Sequence, residues 1–256
     1  MSFVRSDEGP LAVLTLDHGD LNLFDEQLFD SLEAAVRALA DDPPRGLLIG
    51  ARGRVVSAGV DVHIFEGITP GRGAALWERL LATLGMLEAL PCPTVFAAHA
   101  LCLTAAFELA LACDLLVAAE SARFGLVETV VGLTPSMGGP QRLAERAGPA
   151  RARHLVYTGE LFDASTLEGW GVVTSVWPDA AFAEQARALA QRLANGPTLA
   201  HAATKQLVRT AARDGVDAAD ALVPEVSSPL LATEDLRGAV ASFLRDGPGK
   251  ATYRGR

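Results

Sequence analysis

The run Pro10 to Asp17 (PLAVLTLD) is mostly apolar and rich in residues that favour extended backbone, and it predicts a strand. Asp25 then stands where it can cap a helix reaching about Ala40, with Leu28, Phe29, Leu32, Ala35, Val36 and Leu39 on one stripe. Asp41-Asp-Pro-Pro44 ends that helix. Gly46 to Gly50 (GLLIG) is a short continuous apolar run, the pattern of a strand covered on both faces. The pattern further predicts a helix over 74–90, a strand over Thr94–Ala98, a helix over Ala105–Cys113 and a strand over Asp114–Ala119. Strands alternating with helices in this way point to an α/β core built from βαβ-like crossovers. From about Gly138 helical periodicity dominates, over 138–147, 149–158, 179–195, 198–213, 216–223 and 233–245, interrupted by one short strand within Val172–Trp177. These later helices pack on the core or on another subunit, and their face pattern leaves both open.

Composition fits this picture. Of the 256 residues half are apolar and about a fifth are charged, enough for a sizeable buried core. A net charge of −9 argues against a general electrostatic grip on nucleic acid, so an anionic ligand would need a local Arg cluster. Thr94 to Ala119 is long and apolar enough to pass for a membrane span, but Glu108 near its middle and the absence of close basic flanks favour buried strand, turn, helix and strand. Cys92, Cys102 and Cys113 are odd in number, without metal-ligand spacing, in apolar surroundings; they read as buried core thiols of a reducing, cytoplasmic compartment. The five histidines are scattered and suggest no metal site, and neither HExxH nor GxSxG occurs.

Four stretches carry chemistry, in fixed order: Asp20-Leu-Asn-Leu-Phe-Asp25, Gly53-Arg-Val-Val-Ser-Ala-Gly-Val-Asp61, Glu108-Leu-Ala-Leu-Ala-Cys-Asp114, and Phe124-Gly-Leu-Val-Glu128 continuing through Pro135-Ser-Met-Gly-Gly-Pro-Gln-Arg142. Ser57-Ala-Gly-Val-Asp61 contains a small-residue turn that lets a ligand approach backbone amides. Thr104-Ala105-Ala106 opens a helix, whose first amides lack intrahelical acceptors. Two such donors converging would form an oxyanion hole, each worth on the order of 3 kcal/mol to a developing enolate. Glu108 lies on an otherwise apolar helix and Glu128 among Leu126, Val127, Val130 and Val131. A carboxylate so placed is paired, protonated or solvated by a cavity. Two of them suit acid–base work if they meet in space, which sequence alone leaves open.

SAGVD (57–61), ELALACD (108–114), FGLVE (124–128) and PSMGGPQRL (135–143), in this order and spacing, resemble the crotonase (enoyl-CoA hydratase/isomerase) superfamily. So do Leu155–Gly159, Gly169–Val173 and Thr233–Gly238 with Phe243, so the resemblance spans nearly the whole chain. It implies an α/β spiral of ββα units over residues 1–195, with a C-terminal helical region, 196–256, for packing and trimerisation, in homotrimers or hexamers. It implies an acyl-CoA thioester substrate, with coenzyme A as part of the substrate, and no metal or redox cofactor. The implied oxyanion donors are Ala58 and Ala105. Glu108 would direct water to Cβ and Glu128 would deliver the proton to Cα. The CoA arm would run along Ala58, Gly59, Val60 and Asp61, with Arg54 and Arg245 as candidates for its phosphates. Hydration is the leading expectation; enoyl-CoA isomerisation, another enolate reaction, or acyl-CoA binding without turnover are the alternatives. One departure stands out: Thr104-Ala105-Ala106 replaces the glycines that relatives carry before the helix glutamate, putting side chains where a positive φ would be strained. His99, where many relatives carry Asn, is expected to be satisfied by a backbone carbonyl.

Overall fold

The computed structural model describes residues 3–256. The chain opens with strands β1 (Phe3–Glu8) and β2 (Leu11–Leu16), helix α1 (Glu26–Asp41), β3 (Gly46–Ala51) and α2 (Pro70–Glu88). There follow β4 (Thr94–Ala98), β5 (Leu101–Leu103), α3 (Ala105–Leu111), β6 (Leu115–Ala119) and β7 (Arg123–Gly125). Then come α4 (Gly139–Ala147), α5 (Pro149–Thr158), β8 (Phe162–Asp163), α6 (Ala164–Gly169) and β9 (Ser175–Trp177). Helices α7 (Asp179–Ala194), α8 (Thr198–Asp214), α9 (Val216–Ser227) and α10 (Glu234–Asp246) complete the chain.

Two sheets organise the core. The larger runs β1-β2-β3-β4-β6-β9, antiparallel only between β1 and β2; the smaller runs β5-β7-β8, with β5 and β7 parallel. Alternation along the large sheet divides its side chains between two layers. Leu14, Ile49, Phe96 and Leu116 join the main core with α1, α2 and α3, whereas Val13, Leu48, Val95 and Val117 face Phe182, Ala186 and Ala190 of α7. Coverage on both faces is why β3 and β4 read as unbroken apolar runs.

Helix signals hold where a cap is explicit. Asp25 accepts from Leu28 N at 2.8 Å to start α1, as its position predicts. Several bounds differ. Helix α2 starts at Pro70, because Thr69 caps it and proline fits a first helical position, so Pro-Gly-Arg-Gly is a helix start rather than a turn. Helix α9 continues past Val223 through Pro224 to Ser227. The expected strand within 172–177 is confined to Ser175–Trp177. Strand β1 was not expected, since FVRSDE is polar; as an edge strand it needs only backbone pairing to β2. The apolar segment 94–119 is strand, short strand, helix and strand, and no helix among the described residues is long and apolar enough to cross a membrane. All three cysteines are free and buried.

Candidate active site

The SAGVD turn is fastened on two sides. Toward the first motif, Ser57 Oγ donates to Asn22 O (2.7 Å), Phe24 N to Gly59 O and Asp61 N to Phe24 O (2.9 Å each). Asn22, with φ +48°, is buried and its Nδ2 donates to the carbonyls of Arg52 and Val56 at 3.0 and 3.1 Å. That buckle gives the Asp20–Asp25 motif a physical role that its residues alone did not reveal. Toward β5, Ser57 N donates to Leu101 O and Leu103 N to Ser57 O, both at 3.1 Å. The register therefore lays Ala58-Gly59 beside Thr104-Ala105: a Cβ on Gly59 would lie 2.9 Å from Thr104 Oγ1. Asp61 caps the short turn Val62–Phe65 through His63 N (3.1 Å), and Val60 pairs with Phe24.

The two glutamates are set by one strand pair. Leu103 of β5 is opposite Gly125 of β7, and Thr104 N donates to Gly125 O at 2.9 Å. Helix α3, beginning with Ala105, carries Glu108, and the turn after β7 begins with Glu128. Every residue of α3 is buried, Glu108 to 2 % exposure. Its Oε1 accepts from Met137 N and Gly139 N, both at 2.8 Å. Gly139 is required for this approach, since a Cβ there would sit 2.8 Å from Glu108 Cγ. Arg142 grips Glu88 in a two-pronged pair at 2.7 and 2.8 Å and adds positive charge near Glu108.

Burial pushes the Glu108 carboxyl up to about 7 against the pull of those two amides and of Arg142. Glu128 is half-buried, and its Oε2 is enclosed without a partner. Burial, and after it the charge of Glu108, pushes Glu128 up to about 8. The charge of Glu108 thus reaches Glu128. Near neutral pH such a pair holds about one proton between them.

The backbone donors differ. As the first residue of α3, Ala105 has no intrahelical acceptor for its N–H, and no other acceptor meets it among the described residues. Ala58 N, the other expected donor, is occupied: it donates to Leu21 O at 2.9 Å. Gly59 N is likewise held by Ser57 Oγ at 3.0 Å. The expectation that Ala58 offers a free amide is corrected, because the buckle with Leu21–Phe24 takes it; in the same turn Val60 N–H meets no acceptor among the described residues. Thr104 has φ +48° and its buried Oγ1 has no partner. His99 Nε2 lies 3.0 Å from Gly53 O, the backbone carbonyl expected for it. Arg54 is exposed beside Asp17, Asp20 and Arg52, and Arg245 is exposed and paired with its neighbour Asp246 at 2.6 Å. Neither arginine contacts the glutamate site. An open cavity of about 750 Å³ lies between α1, the turn at 62–65 and α2, lined in part by Ile64, Ile68, Leu76, Arg72 and Arg79. Among the described residues no three His, Cys, Asp or Glu side chains gather as metal ligands would.

Fold and site together define the crotonase class. An enoyl-CoA hydratase subunit I from Geobacillus kaustophilus superposes with a TM-score of 0.92 at 31% identity, over 100% of this chain and 99% of that one. An enoyl-CoA hydratase from Polaromonas sp. JS666 does so with a TM-score of 0.90 at 27% identity, over 99% and 100%. In sequence, the chain is similar to a 2,3-dehydroadipyl-CoA hydratase of Escherichia coli (33% identity over 219 residues, 86% of this chain and 84% of the relative). It is also similar to a crotonyl-CoA hydratase of Syntrophomonas wolfei, at 28% identity over 251 residues and 95% of each chain. Residues 7–249 match the enoyl-CoA hydratase/isomerase family, and the chain belongs to that family.

Proposed function

We propose that the protein is an enoyl-CoA hydratase that adds water across the 2,3 double bond of an acyl-CoA thioester. The observation that carries this reading is the pair Glu108 and Glu128, two acids raised to about 7 and 8 with one influencing the other. Ionised Glu108, held through Oε1, takes a proton from water as its oxygen bonds Cβ. The π pair moves onto the thioester oxygen, where the Ala105 amide stabilises it, and protonated Glu128 gives its proton to Cα as the enolate collapses. One proton enters the pair and one leaves it, so a proton passing from Glu108 back to Glu128 restores the site. Isomerisation of a 3-enoyl thioester needs only the Glu128 side of this machinery.

The CoA arm is assigned to Ala58, Gly59, Val60 and Asp61, with Arg54 and Arg245 offered to its phosphates. Residues 196–256 are assigned to packing between copies in a homotrimer or hexamer. Hydration of crotonyl-CoA, read as loss of the conjugated enoyl absorbance, tests the reading. Glu128→Gln is expected to lower kcat by at least ~10²-fold with KM nearly unchanged. Glu108→Gln is expected to suppress hydration more than exchange of the substrate α-proton. Full hydration by Glu128→Gln, or equal losses of hydration and exchange in Glu108→Gln, would overturn the assignment.

A further inference from the structure

The turn that holds Glu108 is itself held from behind by Arg142. Nη1 of that guanidinium donates to Met137 O at 3.2 Å and to Gly138 O at 3.3 Å. The Gly138 carbonyl and the Gly139 N–H belong to one trans peptide, whose two polar ends point in opposite directions. One end of that plane is therefore fixed on Arg142 while the other donates to Glu108 Oε1 at 2.8 Å. Gly138 leaves room for this arrangement, since Arg142 Nη1 fills the place that a Cβ on residue 138 would take. On its other side the guanidinium is anchored by Glu88, with Nε and Nη2 each donating to one carboxylate oxygen, at 2.7 and 2.8 Å. Such a two-pronged pair fixes orientation as well as charge. Both side chains are largely shielded, with exposures of 16% and 26%. Glu88 belongs to none of the four motif stretches, and it is the last residue of α2, where the helix dipole disfavours an acid. Its own helix gives no reason for a carboxylate there; Arg142 does.

We propose that Arg142, anchored by Glu88, is the positioning residue of the catalytic base: it fixes the peptides of residues 137–139 so that their amides stay on Glu108 Oε1. The inference rests on the reading of Glu108 as the base that directs water to Cβ. Fixing Oε1 also fixes the direction of Oε2, the oxygen left to take the proton from water. Arg142 acts through Glu108 and needs no contact with substrate. Among the charged groups, Arg142 of α4 lowers the Glu108 carboxyl, Glu108 raises Glu128 of the turn after β7, and Glu88 of α2 pairs with Arg142.

Arg142→Gln removes the clamp. In crotonyl-CoA hydration kcat should fall about 10²-fold with KM nearly unchanged. The acidic limb of kcat/KM should move up by about 1 pH unit as Glu108 loses its support. Glu88→Ala keeps the positive charge and removes only its anchor, and kcat should fall about 10-fold. Arg142→Lys supplies a point donor that cannot serve the carboxylate and both carbonyls together, so it should recover only part of the loss. Were Arg142 a charged neighbour and nothing more, Glu88→Ala would leave kcat intact and move the acidic limb down, and Arg142→Lys would match wild type; either result overturns the proposal. In a Glu108→Gln background, Arg142→Gln should lower the residual hydration no further, whereas a loss as large as in the wild-type background would make Arg142 merely structural. The clamp is also read without turnover, from the NMR resonance of the isotope-labelled Glu108 carboxyl, assigned by its absence in Glu108→Gln. Its titration midpoint should rise in Arg142→Gln, and an unchanged midpoint overturns the proposal. A wild-type protein that hydrates no enoyl-CoA while this midpoint rises would remove the hydratase reading and leave Arg142 as the residue that positions Glu108.

Discussion

Glu108 and Glu128 have different environments, and the difference sets their roles. Both start from the same carboxyl chemistry, yet Glu108 has two amide donors and a nearby arginine, whereas Glu128 has an enclosed oxygen with none. The first is easier to ionise, the second easier to protonate, with values of about 7 and 8. A hydratase using one as base and the other as acid should show a bell-shaped kcat/KM profile with its maximum between these values. A stability effect follows with a definite sign. Both groups bind protons more tightly folded than unfolded, so their contribution is present in full below about 4.5 and is lost as pH rises through 7 to 8. Glu128→Gln removes the charge that burial penalises. Its Tm should match wild type at pH 5 and exceed it at pH 9, reflecting a stability gain on the order of 1–2 kcal/mol after discounting for partial exposure. A variant less stable than wild type at pH 9 would show that Glu128 finds an ionic partner when folded.

At the scale of elements, the site depends on where α4 begins. Gly138, with φ +92°, and Gly139 turn the chain so that the amides of Met137 and Gly139 reach Glu108. At Gly139 the backbone would admit alanine, but the added methyl would lie 2.8 Å from Glu108 Cγ, 2.9 Å from Oε1 and 3.0 Å from Leu126 Cδ1. Gly139→Ala should therefore cost about 1–3 kcal/mol of stability by overpacking, and it should lower hydration by displacing the Glu108 carboxylate. Thermal unfolding and kcat on crotonyl-CoA check both effects; an unchanged kcat would mean that the two amides do not set the base. These contacts also mark the limit of what sequence could give. Unbroken apolar runs exposed β2, β3 and β4, and period-3.6 patterns exposed α1 and α7, because burial on two faces or on one writes itself into the order of residues. Glu108 stood out because an acid in an apolar helix is locally anomalous. The amides that hold it lie near residue 138, and the carbonyl that occupies Ala58 belongs to Leu21; backbone partners so distant leave no trace in side-chain pattern. Thr104 was legible as a departure from the family's glycines, but its orphaned hydroxyl required coordinates.

At the scale of the whole molecule, helix α10 is amphipathic in the wrong sense for a lone protomer. Its buried residues are polar, Asp235 and Ser242, while Leu236, Val240, Phe243 and Leu244 are exposed, the last two to 60% and 80%. The buried carboxylate has a local reason: Asp235 accepts from Arg254 N (2.6 Å) and Gly255 N (2.8 Å) and so fastens the C-terminal tail. The apolar residues have no such reason within the chain. Leu236, Val240 and Phe243 follow one another at the spacing of a single helical face, and Leu231, 72% exposed, precedes them in the short turn at 228–232. Burying one large apolar side chain is worth about 1.5–3 kcal/mol, so a stripe of four left in water is a substantial incentive to associate. The homotrimer or hexamer proposed for this protein gives that stripe a neighbour. Phe243→Asp sets a charge in the middle of it, and because the Phe243 side chain is exposed while its backbone carbonyl is bonded to Gly247 N, the change spares the protomer's hydrogen bonds. Sedimentation velocity should show the wild-type chain as an oligomer and the variant shifted toward monomer, with the helical circular dichroism of the two unchanged. A wild-type chain that sediments as a monomer, or a variant that retains the wild-type assembly, would remove α10 from the subunit interface.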